Sequence, residues 1–187
     1  MLMTMRWIIA MKPLRASGRA QVGSSCEATF RVLPSDLDIL MHMTNGRYLS
    51  ILDAARIAYM SDTGLWRALR SRRWHPVVVA QTISYRRPLT VGTRYQVRST
   101  MIGVDDRNAY FEQVFHVGDR THAVAVVAVR YLDRAGDSVA PERLLALHGD
   151  VALPGSLPGW VDAWSEAIRT QATAESSTTH AATGAHA

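Results

Sequence analysis

Hydrophobic and polar positions alternate with two different periods along this chain, and the change of period divides it into elements. From Gly46 to Ser61 the apolar side chains Tyr48, Ile51, Leu52, Ala55, Ala58 and Tyr59 fall on one arc of a helix, with Ser50, Asp53 and Ser61 opposite and Ile57 among them. A helix this apolar needs burial on most of its sides. Loose alternation from Glu27 to Leu33 predicts a strand that Pro34 ends, because proline lacks a backbone donor and restricts its predecessor. A short second helix is predicted at Leu65 to Arg73, followed by a strand from Val77 to Arg87 that Pro88 stops. Three strands then come in quick succession, at Arg94 to Gly103, Ala109 to Val117 and Thr121 to Leu132; the last is apolar through its middle, as a central strand should be. The polar links Asp105–Asn108 and Gly118–Arg120 have hairpin length.

One long helix followed by an antiparallel run predicts an α+β fold with a curled sheet around a central helix, and no glycine-rich phosphate fingerprint points to a dinucleotide fold. Beyond residue 135, Leu157, Trp160, Val161, Trp164 and Ile168 have the spacing of an amphipathic helix. The predicted organisation is a flexible arm at 1–26, the main domain at 27–135, an extension carrying that helix at 136–169, and a disordered Thr/Ala/Ser/His tail at 170–187 with no large apolar side chain to bury.

With 187 residues, the chain is of one-domain size, enough to bury about 70% of the surface its unfolded form exposes. Its single cysteine, Cys26, cannot pair within the chain and no Cys/His cluster has metal spacing, so a reducing compartment is expected, with the cytoplasm as default. A formal net charge of +5 rests almost wholly on arginine and favours anionic ligands. The arginines are scattered, without a basic stripe interleaved with aromatics, so a phosphate-bearing small molecule suits them better than nucleic acid. The apolar run Trp7–Met11 is too short to span a membrane and lacks a clean signal-peptide cleavage pattern; a misplaced start codon or a flexible arm accounts for it, and no membrane association is expected.

The chemistry is concentrated in Asp36 to Tyr48, where a carboxylate and an imidazole, Asp38 and His42, lie four residues apart just before the apolar helix. A local turn can aim both at one point, and the unpaired N–H groups of the helix's first turn attract developing negative charge. Asp36 is expected to serve the turn, Asn45 to cap the helix and Tyr48 to join the core. Arg86 and Arg87 alternate across a strand, and either could meet a phosphate or close a salt bridge at a subunit edge.

This arrangement resembles the hotdog-fold thioesterases, in particular the 4-hydroxybenzoyl-CoA thioesterase branch, whose pattern D-x-D-x-x-x-H-x-N-N-x-x-Y is matched at Asp36, Asp38, His42, Asn45 and Tyr48. Thr44 departs from it, standing where the family usually has the first Asn. A second block, Ile83-Ser84-Tyr85-Arg86-Arg87-Pro88-Leu89, is similar to a family strand ending in Arg-Pro-Leu. The resemblance implies hydrolysis of an acyl-CoA, aryl-CoA or acyl-carrier-protein thioester without metal or cofactor, coenzyme A being part of the substrate. Asp38 would attack the carbonyl or activate water, His42 would polarise the substrate or hold the loop, and pockets would form between the subunits of a homodimer or dimer of dimers. Met41, Met43, Trp66 and Trp74 could line an acyl channel or fill the core. Two rivals differ in class: a hydratase, which would carry an Asn-Pro-Ile-His type segment that is missing here, and a non-catalytic acyl-CoA-binding or scaffold protein. A carboxylate of Asp38 left facing solvent would count against hydrolysis.

Overall fold

The computed structural model describes residues 20–146, 151 and 153–183, the last twelve of these by backbone alone. The apolar run at 7–11 and most of the expected N-terminal arm lie outside the described residues, as does His148.

Strand β1 (Cys26–Arg31) leads through a 3-10 turn at Pro34–Asp36 and a loop to helix α1 (Asn45–Asp62), and helix α2 (Leu65–Arg72) follows. The antiparallel run is β2 (His75–Tyr85), β3 (Arg94–Val104), β4 (Asn108–Val117) and β5 (Arg120–Leu132), with a short β6 (Ser138–Val139) and helix α3 (Pro141–Leu145) after it. The sheet has the order β1-β3-β4-β5-β2, with β6 paired to β5, so β1 and β2 are the edges of the main path. The β4–β5 hairpin turns at Gly118, whose φ of +55° is readily adopted only without a Cβ, and Val117 pairs with Arg120 across it.

One face of the sheet packs on α1. Its alternate residues Tyr95, Val97, Met101, Phe111, Phe115, Val127 and Val129 form a core with Tyr48, Ile51, Leu52, Ala55 and Tyr59 of the helix. Five aromatic rings run in contact through this core, from Phe30 through Tyr95, Phe115 and Tyr48 to Tyr85 on the edge strand, with centroids 5.0–5.9 Å apart. Arg56 and Ser61 are also buried, although Ser61 is expected on the polar side. Arg56 is satisfied by Gln113 Oε1 at 2.8 Å and by Asp53, while Gln113 Nε2 donates to Leu52 O at 3.0 Å and Ser99 Oγ at 2.9 Å. Burial lowers the Arg56 pKa and the Asp53 carboxylate works against that shift. Burial likewise pushes the nearby Tyr131 phenol above its ordinary range.

Expected and observed elements differ in several places: β1 spans Cys26–Arg31 in place of Glu27 to Leu33, and β2 begins at His75 in place of Val77. The β2 strand stops at Tyr85, so Arg86 and Arg87 lie in the bend beyond it, and their N–H groups both donate to His122 O at 2.8 and 3.1 Å. Strand β6 and helix α3 carry too few residues to show a period. The C-terminal unit, residues 156–187, holds helix α4 (Gly159–Thr183), which continues past Arg169 into the stretch expected to be disordered. Alanine recurs there, at positions 172, 174, 181 and 182, and it is the best helix former.

Candidate active site

Two carboxylates separated by one residue have opposite surroundings. Asp36 is fully buried: Oδ2 accepts from Leu33 N at 2.9 Å, Oδ1 faces Arg47 Nε at 2.9 Å, and its carbonyl accepts from Thr44 N at 2.9 Å. It therefore ties the turn before the helix to the helix's first turn. Asp38 is exposed, and its Oδ1 accepts from Leu40 N at 2.8 Å and His42 N at 3.4 Å. Its backbone closes the same loop, with Asp38 N donating to His42 O at 2.9 Å and Met41 N to Asp38 O at 3.0 Å. Oδ2 has no partner among the described residues.

The loop is pinned from behind by the second block. Met43 N donates to Leu89 O at 2.9 Å, His42 bridges to Thr90, and the Tyr48 ring meets Tyr85 edge-on at 5.1 Å. Thus the two sequence blocks at 36–48 and 83–89 lie side by side. The half-buried His42 has no side-chain hydrogen bond among the described residues. At the loop tip Met41 has φ +60°, a conformation that costs a side-chain-bearing residue about 1–2 kcal/mol. Ile39, Leu40 and Met41 are 97%, 69% and 61% exposed.

The helix cap is Thr44, one residue before the Asn45 expected there: Thr44 Oγ1 accepts from Arg47 N at 3.2 Å, and Thr44 O from Arg47 N at 2.9 Å and Tyr48 N at 3.3 Å. Asn45 is the exposed first residue of α1. Thr44 takes up the N–H groups of Arg47 and Tyr48, which leaves those of Asn45 and Gly46 as first-turn donors, and a Cβ placed on Gly46 would meet nothing within 4 Å. Sequence reasoning misses this cap because Asn and Thr are both good caps and adjacent; what distinguishes them is that Asp36 O holds Thr44 N.

The remaining candidates disperse. Arg86 and Arg87 are exposed beside the block that pins the loop. Met43 belongs to the core, where Tyr95 Oη donates to its sulfur at 3.9 Å, and Trp74 lies under the Arg72 and Arg143 guanidinium groups at 5.7 and 5.5 Å. His116 and His122 face the carbonyls of Gly118 and Pro88 through Nδ1 at 3.0 and 3.1 Å. Among the described residues no group of three His, Cys, Asp or Glu side chains could hold a metal, and no helix is long and apolar enough to cross a membrane.

An antiparallel sheet in the order β1-β3-β4-β5-β2 curled on one long helix is a hotdog fold. The YbaW probable thioesterase of Escherichia coli is similar to the chain with a TM-score of 0.60 and 21% identity, over 66% of this chain and 98% of the other. A gentisyl-coenzyme A thioesterase gives 0.59 and 16%, over 65% and 99%. The chain belongs to the Thioesterase-like superfamily, whose sequence profile matches residues 32–164. Protein THEM6 of Danio rerio is 41% identical over 85 residues, 46% of this chain and 42% of that protein, so the match spans less than half the length of this curated relative.

Proposed function

We propose that this protein hydrolyses an acyl-CoA or aryl-CoA thioester, in the manner of the 4-hydroxybenzoyl-CoA thioesterase branch, with Asp38 as base or nucleophile. The observation that carries the reading is the rigid link between a carboxylate with a free oxygen and the start of a buried helix, made by the Asp36–Arg47 pair and the Thr44 N–Asp36 O bond. An ordinary aspartate is ionised at neutral pH and can either attack the thioester carbonyl or take a proton from an attacking water. In the first route the carboxylate oxygen bonds to the carbonyl carbon, the thiolate leaves, and water then splits the resulting anhydride. In the second, water adds to the carbonyl carbon as Asp38 takes its proton, and the thiolate leaves when the tetrahedral adduct collapses. Either way negative charge grows on the carbonyl oxygen, where the Asn45 and Gly46 N–H groups would stabilise it; such donors contribute about 2.7–4 kcal/mol. His42 would orient the substrate, and Arg86 or Arg87 would meet the phosphates of coenzyme A. An acyl carrier protein could present the thioester instead, and no further cofactor is needed.

A single chain leaves Asp38 exposed, which favours the alternative of a non-catalytic acyl-CoA-binding or scaffold protein. Two features support a covered site instead. The loop tip beside Asp38 exposes three large apolar side chains, and the edge strand β2 exposes Val77, Val78 and Val79 at 37–41%. A homodimer, or a dimer of dimers, in the cytoplasm would bury both surfaces and enclose the carboxylate.

Asp38→Asn separates the readings, because the amide oxygen can still accept from Leu40 and His42 N–H while the charge is gone. Thiol release from a panel of short, long and aromatic acyl-CoAs should fall at least about a hundredfold with an unchanged melting temperature. Wild-type protein that binds the panel tightly without releasing thiol, or an Asp38→Asn variant with full turnover, would refute the proposed role.

A further inference from the structure

Strand β2 ends on Tyr85, whose ring lies at the boundary between core and solvent. Tyr85 pairs with Ala123 and Ile83 with Ala125, and both alanines belong to the core, so Ile83 and Tyr85 project from the sheet face that packs on α1. Ile83 packs against that core. Tyr85 stays 42% exposed, since its cross-strand partner offers only a methyl group.

Tyr48 fixes where the open side of that ring lies. It follows Asn45 by three residues in the first turn of α1, and residues so spaced share one face of a helix. Its buried ring meets Tyr85 edge-on at 5.1 Å and is backed by Phe115 at 5.0 Å, so the row of core rings holds Tyr85 from behind. The exposed part of Tyr85 therefore stands on the flank of the helix start that carries Asn45, where the N–H groups of Asn45 and Gly46 remain as donors. The segment after Tyr85 also holds the loop of Asp38, through Met43 N donating to Leu89 O at 2.9 Å. Val77, Val78 and Val79, the surface assigned to a second copy, lie toward the other end of β2. The Tyr85 phenol makes no hydrogen bond among the described residues, and desolvation pushes its pKa up, so the ring is neutral at pH 7.

We propose that Tyr85 is the aromatic wall of the acyl subsite and makes the site select aryl over alkyl thioesters. The inference rests on the hydrolase reading for the placement of the carbonyl. A carbonyl oxygen bound by the Asn45 and Gly46 N–H groups leaves its acyl group at the first turn of α1, beside the open side of Tyr85. Among the described residues the exposed large aromatic rings are Tyr85 and Trp160, and Trp160 belongs to the C-terminal unit. An aryl group at this place continues the row of rings that runs from Phe30 to Tyr85. Its offset or edge contact raises affinity several-fold beyond the effect of the area it buries, whereas a linear alkyl chain gains the area alone. Tyr85 forms and breaks no bond, so its contribution lies in binding.

Calorimetric titration of the full chain bearing Asp38→Asn compares benzoyl-CoA with hexanoyl-CoA, whose coenzyme A contacts are the same. Benzoyl-CoA should bind at least about fivefold more tightly. Adding Tyr85→Leu or Tyr85→Ile should weaken benzoyl-CoA about tenfold, leave hexanoyl-CoA within about twofold and so level the two, whereas Tyr85→Phe should keep the preference. With Asp38 intact, the same preference should appear in KM for thiol release. A chain that binds both thioesters with a preference dependent on Tyr85 but releases no thiol keeps the subsite and refutes hydrolysis; turnover without the preference does the reverse. Failure of benzoyl-CoA to bind, equal affinity for the two thioesters, or a preference that survives in Tyr85→Leu and Tyr85→Ile overturns the subsite.

Discussion

Replacing Gln113 by leucine puts the buried polar link between α1 and the sheet to a quantitative test. The side chain is fully buried and holds three hydrogen bonds, to Arg56 Nη1, Leu52 O and Ser99 Oγ. The bond to the guanidinium contributes about 1.5–3 kcal/mol and each neutral bond about 1 kcal/mol. Leucine returns about 2 kcal/mol by apolar burial, but Arg56, itself 4% exposed, then keeps only Asp53 as a partner among the described residues and carries part of an uncompensated charge. The balance is a loss of about 3 kcal/mol, or about 6–12 °C in melting temperature for a domain of this size. Urea unfolding followed by circular dichroism measures it. Arg56→Met combined with Gln113→Leu should recover about 2 kcal/mol of that loss, because the stranded charge is gone and the new side chains can pack. A single variant within 1 kcal/mol of wild type, or a double variant that costs the sum of its parts, would refute the account.

Thr44→Ala should lower stability by about 1 kcal/mol through loss of the cap, whereas Asn45→Ala should cost less than about 0.5 kcal/mol; the reverse order in a urea series would restore Asn45 as the cap. Burial and the nearby Asp62 push the Cys26 thiol up to about 11, so alkylation by iodoacetamide at pH 8 should run at least about tenfold slower than for a free thiol and still be rising above pH 9, where an ordinary thiol levels off. The same shift has a sign for stability: the folded state holds the proton between the unfolded and folded pKa values, so the urea midpoint should fall as pH rises from 9 to 11. Val78→Arg on the exposed edge strand should shift the sedimentation coefficient from dimer to monomer, and a wild type that sediments as a monomer at micromolar concentration would remove the cover proposed for Asp38.

Periodicity carried most of the fold. The α1 boundaries lie within one residue of those expected, and β3, β4 and β5 do likewise, because each element shows several turns or pairs of its repeat. What periodicity could not show were groups whose fate is decided by distant partners. Arg56 looks like a solvent-facing position until Gln113, a polar residue on the inner face of β4, is brought beneath the helix. Periodicity predicts a β2 that runs to Arg87, but the N–H groups of Arg86 and Arg87 turn to one acceptor, His122 O, far away in sequence. The juxtaposition of the two motif blocks is likewise a finding of the structure, since nothing local links Met43 to Leu89.

The pair Asp36 and Asp38 illustrates why a motif of two identical side chains can divide structural from chemical work. Pro34 opens a 3-10 turn that directs Asp36 inward, where Arg47 and the Leu33 N–H neutralise its burial. The next turn, closed by Asp38 N to His42 O, directs the second carboxylate outward and engages only one of its oxygens. Because Asp36 already holds the loop to the helix, Asp38 can be changed without releasing the loop; because Asp36 is paired and buried, it is unavailable to substrate. Asp36→Asn should therefore lower stability, with activity lost only as the loop loosens, whereas Asp38→Asn should remove activity from a protein that remains folded. The order of those two effects follows from the geometry of the segment from Leu33 to Arg47, and it would be inverted if the inner carboxylate were the reactive one.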